Sequence, residues 1–400
     1  MTRANGTPSR RTGRLGRRTG TARGSVLVVV MITLIFATVA LVAFMDKASN
    51  DLLVEHRDSV TRRLRVEAYS ALEVTLAVLQ DFQRANNGLR SPAEGWGDPL
   101  AFAGYTPTND RTVDIAFEDE SGKVSLPRAN MTTLTNLFKN WQIPQNEADE
   151  LADALMGWMT ANHVYASVQT DYGQGDLPYE EPRRPLRSFQ ELQAIDRVRE
   201  IFFENGRPND LWRRFTESVS LFSFRQSNIN AGRGDTLAAL GQFDETQQTS
   251  LAEYVRGTGA YLNQGPGFFQ NVGEAQRILG PAGDARGFNV TISALRIFVT
   301  VHEGQTVFRL TAVVAPPGGA ATVQTNASEQ KTQVASTAAA GNQDATQNRP
   351  NANTPAARQP GGTNTTTSAN TRNLQYPFTL LEIRENDEMP VPPPPAEPSI

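Results

Sequence analysis

The stretch that decides the fold is GSVLVVVMITLIFATVALVAFM, residues 24–45, which contains no charged side chain. A helix rises 1.5 Å per residue, so this stretch extends about 33 Å and can cross the roughly 30 Å hydrocarbon core of a bilayer. The sequence therefore predicts a transmembrane helix over residues 25–45. The apolar side chains that we expect to anchor it in lipid include Val26, Val29, Leu34, Phe36, Leu41 and Phe44.

The charges around the apolar stretch predict its orientation. Residues 1–24 contain seven arginines and no acidic residue, whereas Asp46 follows the stretch directly. By the positive-inside rule, the amino terminus lies in the cytoplasm and everything after Asp46 lies across the membrane. A secretory signal peptide would have a shorter apolar region and a small-x-small cleavage site. An uncleaved signal anchor stays open as an alternative.

The junction Arg23-Gly24-Ser25 resembles the class III leader of type IV pilins and pseudopilins. In that family a prepilin peptidase cuts after the glycine, on the cytoplasmic side, and leaves the apolar helix attached. The resemblance implies that residues 1–24 are a basic leader cut between Gly24 and Ser25. The fifth residue after the cut is then Val29, where the family normally has a glutamate that pairs with a neighbouring subunit's amino terminus.

The residues after the apolar stretch continue the helix in amphipathic form. There is no proline or glycine from Asp46 to Asn87, and Asn86-Asn87-Gly88 is a stop signal. The sequence therefore predicts one long helix over 25–87, first transmembrane and then amphipathic. Its apolar positions recur at helical spacing, at Leu52, Leu53, Val60, Leu64, Ala68, Ala71, Leu72, Leu76 and Leu79.

Composition excludes several functional classes. The chain has no cysteine, which excludes disulfides, thiolate zinc sites and a cysteine nucleophile. The three histidines, His56, His163 and His302, lie far apart and show no metal-pair spacing. No Ser/His/Asp set has the spacing of a hydrolase triad. Because the chain beyond its leader is acidic, it is a poor binder of nucleic acid. We expect neither an enzyme nor a nucleic-acid-binding protein.

The remaining sequence predicts an α+β body with a small antiparallel sheet and a large helical insert. Residues 112–126 alternate apolar and polar side chains around a Ser-Gly pair and predict a hairpin, or a strand and a turn. Residues 289–301 and 307–314 flank Gly304 and predict a second hairpin, and residues 376–384 predict one more strand. The sheet is thus expected to begin in 88–126 and to return in 284–315 and 374–388.

Helical patterns fill the sequence between these strands, so we expect a helical insert domain over residues 127–283. Its signals include apolar residues at helical spacing over 147–159, and Ser188 with Glu191 fits a capping box. Helical signals resume there and continue through 211–215. Further helical stretches are predicted at 131–141, 234–240 and 246–255.

Two carboxy-terminal segments are not expected to fold. Residues 316–373 contain only Val323 and Val334 as large apolar side chains, so they cannot bury enough surface to offset their ordering entropy. We expect a disordered low-complexity loop there. Residues 389–400 predict a proline-rich tail.

The order of several motifs in the body resembles the K subunit of the type II secretion pseudopilus (general secretion pathway protein K). Ser125-Leu126-Pro127 stands where the family has Asn-Leu-Asn, and the K subunits also lack the usual glutamate, as at Val29. The matching motifs are the strand and glycine turn at 117–126, a Leu/Ala helix at 150–158, an acidic tyrosine-bearing loop at 171–179, Arg184-Pro185-Leu186, the Ser-x-x-Glu-Leu at 188–192, and Asn228-Ile229-Asn230.

This resemblance implies a pilin-like fold, in which the long helix packs on the small sheet that carries the insert. It implies a non-catalytic minor pseudopilin of the inner membrane, with its body in the periplasm, that caps or initiates the pseudopilus tip during protein export across the outer membrane. The implied partners are the I and J minor subunits, the major pseudopilin and the prepilin peptidase. A minor pilin of a type IV pilus and a signal-anchored periplasmic enzyme stay open as alternatives.

The resemblance also implies a calcium site in the loop of the helical insert. Calcium takes six to eight oxygen ligands. The acidic candidates are Asp171, Asp176, Glu180 and Glu181. However, Gly157 and Thr160 stand where the family has aspartates, so a solvated acidic loop without a metal is the interpretation that we favour.

Overall fold

The structure is a computed structural model that describes residues 23–108, 111–167, 171–173, 178–262, 264–265, 267–281, 283–322 and 378–386. The predicted proline-rich tail and most of the predicted low-complexity loop lie outside the described residues, as does nearly all of the leader. The chain divides into two compact units, Met1–Arg63 and Leu64–Ile400.

The first helix, α1, covers Arg23–Asn86 without a break. It ends where Asn87 and Gly88 both adopt positive φ angles, 53° and 140°, and the Gly88 N–H donates to the Gln83 carbonyl at 3.0 Å. Asparagine and glycine adopt this left-handed conformation at low cost, which is why a helix commonly ends on them. The helix predicted over 25–87 is confirmed, with its ends shifted by one or two residues.

Eight more α-helices and ten strands follow in the described part of the chain. The helices are α2 (Pro99–Ala103), α3 (Met131–Asn140), α4 (Gln145–Met159), α5 (Asp196–Phe202), α6 (Asp210–Ser218), α7 (Gly234–Gly241), α8 (Glu245–Arg256) and α9 (Val272–Leu279). The strands are β1 (Thr112–Asp119), β2 (Val124–Ser125), β3 (Phe203–Glu204), β4 (Arg207–Pro208), β5 (Val219–Ser220), β6 (Ser227–Asn228), β7 (Phe288–Asn289), β8 (Leu295–Glu303), β9 (Thr306–Ala315) and β10 (Thr379–Glu385).

The main sheet has four antiparallel strands in the order β1–β8–β9–β10. Strands β8 and β9 form the predicted hairpin, with Glu303 opposite Thr306 and Gly304 at φ 60° in the turn. Strand β10 pairs with β9 and contains a register shift between Leu380 and Glu382. The sheet therefore combines strands from both ends of the body, as the sequence predicts.

In the second unit, the part of α1 from Leu64 onward presents one buried face and touches the sheet. The Tyr69 hydroxyl and the Arg65 guanidinium both contact Glu385 of β10, at 2.8 and 2.7 Å. Most residues of strands β8 and β9 are likewise buried, except near the turn at Gly304. The helix residues that lose nearly all their solvent exposure are Leu64, Ala68, Ala71, Leu72, Thr75, Val78 and Leu79.

The helical insert lies between β2 and β7 in the chain and has two apolar clusters. The first joins α3 to α6 around Phe138, and the second joins α7 to α9 around Phe269. Aromatic side chains fill the first cluster, where Phe138, Phe202 and Phe215 have ring centroids 5.3–6.3 Å apart. These helices are short, so their stability depends on this shared burial rather than on helix propensity.

Of the two structures predicted for 112–126, the strand and turn is correct and the hairpin is wrong. Strand β1 pairs with β8, and a 3-10 turn at Glu120–Gly122 leads into β2. Strand β2 pairs in parallel with β5 rather than back onto β1. The turn thus directs the chain away from β1 and into the insert.

The capping box predicted at Ser188 and Glu191 is also wrong. The Ser188 hydroxyl accepts from the Gln190 N–H at the start of a 3-10 helix, Phe189–Ala194. The Glu191 carboxylate accepts instead from the Arg187 N–H at 3.0 Å. The helical pattern to residue 215 is interrupted by the β3–β4 hairpin, whose Asn205-Gly206 turn has φ angles of 52° and 74°.

The first residues of the predicted low-complexity loop contact the folded body. Ala320 is buried, its N–H donates to the Ser293 carbonyl at 2.7 Å, and Ala321 forms a β-bridge with Ser223. The prediction of disorder is therefore wrong for residues 316–322. The burial of a small side chain and two backbone pairings hold residues 320 and 321 on the body. Composition alone predicts neither of these contacts.

Candidate functional site

The anchor is an apolar helix whose predicted lipid-facing side chains are all solvent-exposed in the isolated chain. The stretch is long and apolar enough to cross a membrane. Such exposure is unfavourable in water and favourable in lipid, so a bilayer is the environment that this surface fits. The exposed fractions are 62% for Val26, 57% for Val29, 59% for Leu34, 71% for Phe36, 58% for Leu41 and 69% for Phe44.

The hydroxyl groups of Thr33 and Thr38, within this apolar stretch, form hydrogen bonds inside the helix itself. The Thr33 hydroxyl donates to the carbonyls of Val29 and Val30, at 3.0 and 2.9 Å. The Thr38 hydroxyl bonds in the same way to the preceding turn. In the hydrocarbon core of a bilayer, a polar group without a hydrogen-bond partner costs several kcal/mol of free energy. These hydroxyls therefore require no partner in the membrane.

The predicted cleavage junction lies at the start of α1, where Gly24 and Ser25 have helical backbone. Cleavage between these two residues stays a prediction. The fifth residue after the cut, Val29, is an exposed apolar residue in the helix. The anchor thus contains an aliphatic side chain at the position where pilins normally have a carboxylate.

Helix α1 is fastened to the body through one buried carboxylate, Glu67, which sequence reasoning did not single out. It accepts from the Tyr105 hydroxyl at 2.5 Å, the Thr108 hydroxyl at 2.9 Å and the Arg111 guanidinium at 3.0 Å. Burial alone would raise the pKa of Glu67, but these hydrogen bonds outweigh it and hold the pKa below its usual value. Burial and the bond to Glu67 raise the pKa of Tyr105 to about 12.

A second buried carboxylate, Glu120, lies where the sheet passes into the insert. Its oxygen is 3.0 Å from Lys123 Nζ and 2.6 Å from an Arg296 nitrogen. Burial alone would raise the pKa of Glu120, but the two cations hold it below its usual value. A buried charge of this kind is stable only when it is paired.

The neighbouring Asp119 is partly buried, and no Lys or Arg side chain of the described residues forms an ion pair with its carboxylate. Its carboxylate accepts from the Ser121 N–H and hydroxyl, at 2.8 and 2.5 Å, and from the Asn228 side-chain amide at 2.7 Å. Burial raises the pKa of Asp119 to about 7, against the lowering effect of these neutral donors. The carboxylate of Glu120 next to it adds to the rise.

The two asparagines of the Asn228-Ile229-Asn230 motif pin separate chain segments together. The Asn228 amide also donates to the Arg90 carbonyl at 3.0 Å. The Asn230 side chain accepts from the Phe269 N–H at 2.6 Å and donates to the Val290 carbonyl at 2.9 Å. The motif thus has a structural role at the junction of the sheet with the insert.

The candidate calcium ligands are not brought together where they can be described. Asp171 is exposed and accepts from the Gly173 N–H at 2.9 Å, and Glu180 is exposed. Glu181 accepts a hydrogen bond from the Tyr165 hydroxyl, and its other oxygen lies 3.7 Å from Arg183 Nε. Within the described ranges, no group of three or more Asp, Glu or His side chains could hold a metal. The fourth candidate, Asp176, lies outside those ranges.

These features define a class of protein before any comparison is made. A long amino-terminal helix, apolar in its first third and fastened by Glu67 to a small antiparallel sheet, is the architecture of pilin-like subunits anchored in a membrane. Asp119 and Glu120 connect this sheet to the helical insert. The signal that could have located them is the acidic run Glu118-Asp119-Glu120 at the end of an otherwise apolar strand.

Comparison with known families gives a specific result for part of the body. Residues 116–209 match the family described as type II secretion system (T2SS), protein K. This segment contains the end of β1, the turn into the insert and the first apolar cluster. The predicted resemblance to the K subunit of a type II secretion pseudopilus is thereby confirmed for these residues.

Comparison with solved structures gives a similar chain in the crystal structure of the GspK-GspI-GspJ complex from the enterotoxigenic Escherichia coli type 2 secretion system. The identity is 14% and the TM-score is 0.45, over 67% of this chain and 97% of that chain. The curated proteins include no match to the chain.

Proposed function

We propose that this chain is a non-catalytic subunit that caps or initiates the tip of the pseudopilus and so supports protein export across the outer membrane. The observation that carries the proposal is the protein K domain over residues 116–209. The aliphatic Val29 supports it, because a subunit laid down first has no earlier subunit whose amino terminus a carboxylate would pair with. An unpaired carboxylate in lipid would cost several kcal/mol, roughly.

The same proposal specifies the location and the partners. The seven arginines before the anchor favour a cytoplasmic amino terminus in the inner membrane and a periplasmic body. The partners are the I and J minor subunits and the major pseudopilin, and the prepilin peptidase cuts between Gly24 and Ser25. The protein K domain favours the secretion system over a type IV pilus.

The direct test of the function is secretion in the cell that makes this protein. Deleting the gene is expected to leave the secreted proteins in the periplasm, and the wild-type chain is expected to restore their export. Affinity purification after mild cross-linking is expected to recover the I and J subunits with it. Normal export after deletion, with pili lost instead, would replace this proposal with the minor-pilin alternative.

A substitution at Val29 tests the role given to the anchor. Val29→Glu places a carboxylate in lipid without a partner and is expected to lower export by the restored strain, whereas the matched Val29→Leu is expected to leave it unchanged. The measurement is the amount of secreted protein at equal membrane levels of each variant. Full export with Val29→Glu would contradict the proposed first position in the filament.

Topology is testable because the chain contains no cysteine. Thr249→Cys introduces one thiol on the exposed surface of α8. A membrane-impermeant maleimide is expected to label this thiol in spheroplasts, in which only periplasmic groups are reachable. Labelling that requires disruption of the inner membrane would put the body in the cytoplasm and overturn the orientation.

A further inference from the structure

The loop between α4 and the 3-10 helix at Phe189 is held by side chains rather than by regular secondary structure. Its described residues, 160–167, 171–173 and 178–187, contain no helix or strand. A segment of this kind orders only when specific contacts offset the entropy of fixing it. Two sets of contacts hold this loop, one centred on Asp153 of α4 and one on Glu181 at the far end of the loop.

The first set saturates a buried carboxylate. Asp153 is 1% exposed, and one of its oxygens lies 2.5 Å from His163 Nε2. Its other oxygen accepts from the Ala166 N–H at 2.9 Å, and from the N–H and hydroxyl of Ser167 at 2.7 and 2.6 Å. Burial alone would raise the pKa of Asp153, but these bonds hold it below its usual value.

The second set places the ring of Tyr165 beside Gly157, the position at which the sequence resemblance implies an aspartate. Tyr165 donates its hydroxyl to Glu181, whose side chain is only 7% exposed. The ring of Tyr165 lies against Gly157 of α4, and a Cβ atom built on Gly157 would overlap it. Gly157 therefore makes room for Tyr165, and an aspartate at this position would displace the tyrosine.

These contacts do not fit a calcium site. Calcium requires six to eight oxygen ligands that are free to turn toward it. The Asp153 carboxylate already accepts from three backbone or hydroxyl donors besides His163, and Glu181 accepts from Tyr165. The space beside Gly157 is filled by an aromatic ring. The carboxylates of Asp153 and Glu181 are thus bound by hydrogen-bond donors, and the space beside Gly157 is filled by carbon.

We propose that hydrogen bonds from Asp153 and Glu181 to His163, Tyr165 and Ser167 hold this loop on α4 in place of a metal ion. These five residues form the clasp. In place of a cation, the Tyr165 hydroxyl donates a hydrogen bond to Glu181. His163 and Ser167 donate to Asp153 in the same way. The order of the loop is then independent of calcium and sensitive to the loss of a single hydroxyl.

Limited trypsin digestion of the full-length protein in detergent tests the clasp. The loop contains cleavable bonds after Arg183 and Arg187, and Arg286, whose side chain is 88% exposed, provides an internal reference outside it. The quantity measured is the ratio of loop cleavage to cleavage after Arg286, which cancels any effect of calcium on the protease. This ratio is expected to be the same in calcium chloride and in EDTA.

Removing one hydroxyl is expected to release the loop. Tyr165→Phe and Ser167→Ala should each raise the cleavage ratio about fivefold, the effect on an opening equilibrium of losing one hydrogen bond. Tyr69→Phe is the matched control, because its hydroxyl binds Glu385 outside the loop, and it should leave the ratio unchanged. If Tyr165→Phe does not fold, Ser167→Ala is the readout.

Two results would overturn the clasp. One is a wild-type ratio that calcium chloride lowers and EDTA raises, together with saturable heat when calcium is titrated into the metal-free protein. The other is an unchanged ratio in both hydroxyl variants. Neither result bears on the pseudopilus function, which the export experiment tests separately.

Discussion

Two regions of the body bury a carboxylate, and they do so by different means. Where α1 meets the sheet, hydrogen bonds from Tyr105, Thr108 and Arg111 outweigh burial and lower the pKa of Glu67. Where the sheet passes into the insert, Asp119 receives only neutral donors and its pKa is raised to about 7. The comparison shows that burial decides the pKa at Asp119, whereas at Glu67 the hydrogen bonds outweigh burial.

Glu120 extends this comparison because it is adjacent to Asp119 and more completely buried. Its pKa is nonetheless lowered, since Lys123 and Arg296 both contact its carboxylate. The pKa values of these two adjacent carboxylates are thus shifted in opposite directions. Substitutions at the three carboxylates should therefore differ in both size and pH dependence.

The largest effect is expected from Glu120→Gln. It removes the charge that Lys123 and Arg296 share and leaves two buried cations with less compensation. Breaking a buried ion pair in this way costs about 3–5 kcal/mol of unfolding free energy. The measurement is urea unfolding of the detergent-solubilised protein at neutral pH, followed by tryptophan fluorescence.

A matched variant tests whether losing an exposed ion pair has the same effect as losing this buried one. Glu200→Gln removes the exposed partner of Arg197, whose nitrogen lies 2.9 Å away. Exposed pairs contribute roughly 0–1 kcal/mol, so this control should be close to wild type. Equal losses in the two variants would contradict the view that burial makes Glu120 important.

An intermediate effect is expected from Glu67→Gln. The variant keeps an acceptor for some of its donors, and Arg111 retains its bond to Glu303 at 2.8 Å. We expect a loss of about 1–3 kcal/mol, the cost of one incompletely satisfied buried donor. The same urea titration measures it, and a loss as large as that of Glu120→Gln would remove the distinction between the two regions.

The smallest effect per pH unit is a dependence of stability on pH that comes from Asp119. Its pKa is about 7 in the folded chain and 3.8 in its ordinary state, so folding favours the protonated form. Its stabilising contribution is complete below the ordinary pKa and is lost as pH rises through about 7. The slope is at most about 1.4 kcal/mol per pH unit.

The Asp119 effect is isolated by comparing Asp119→Asn with wild type between pH 4 and pH 8, roughly the window set by these two pKa values. Wild type should lose stability relative to the variant as pH rises across this window. Glu67 acts in the opposite sense, because its pKa is lowered and its contribution is lost only as pH falls below the usual glutamate range. Parallel curves for Asp119→Asn and wild type would show that Asp119 is ionised throughout.

Local patterns predicted the elements with strong local signals. The apolar run and its amphipathic continuation predicted α1, and the alternation on both sides of Gly304 predicted the β8–β9 hairpin. The Asn205-Gly206 turn also has a recognisable hairpin signal, since both residues tolerate positive φ. The β3–β4 hairpin was not predicted because helical patterns lie on both sides of this turn.

The junction between the sheet and the insert could not be predicted from local sequence, because its contacts join distant parts of the chain. Asp119 and Asn228 are 109 residues apart, and the parallel β2–β5 and β6–β7 pairs are only two residues long. Such short pairs have no periodicity to detect. The motif around Asn228 was recognised by resemblance, whereas its bonds to Asp119 and Arg90 required coordinates.

The most direct test of the whole account is the amino-terminal residue of the protein purified from membranes. In cells with the prepilin peptidase, we expect the chain to begin at Ser25, and in cells without it we expect the basic leader to be intact. An intact leader in peptidase-containing cells, or a cut beyond the apolar stretch, would contradict the assignment as a pseudopilin.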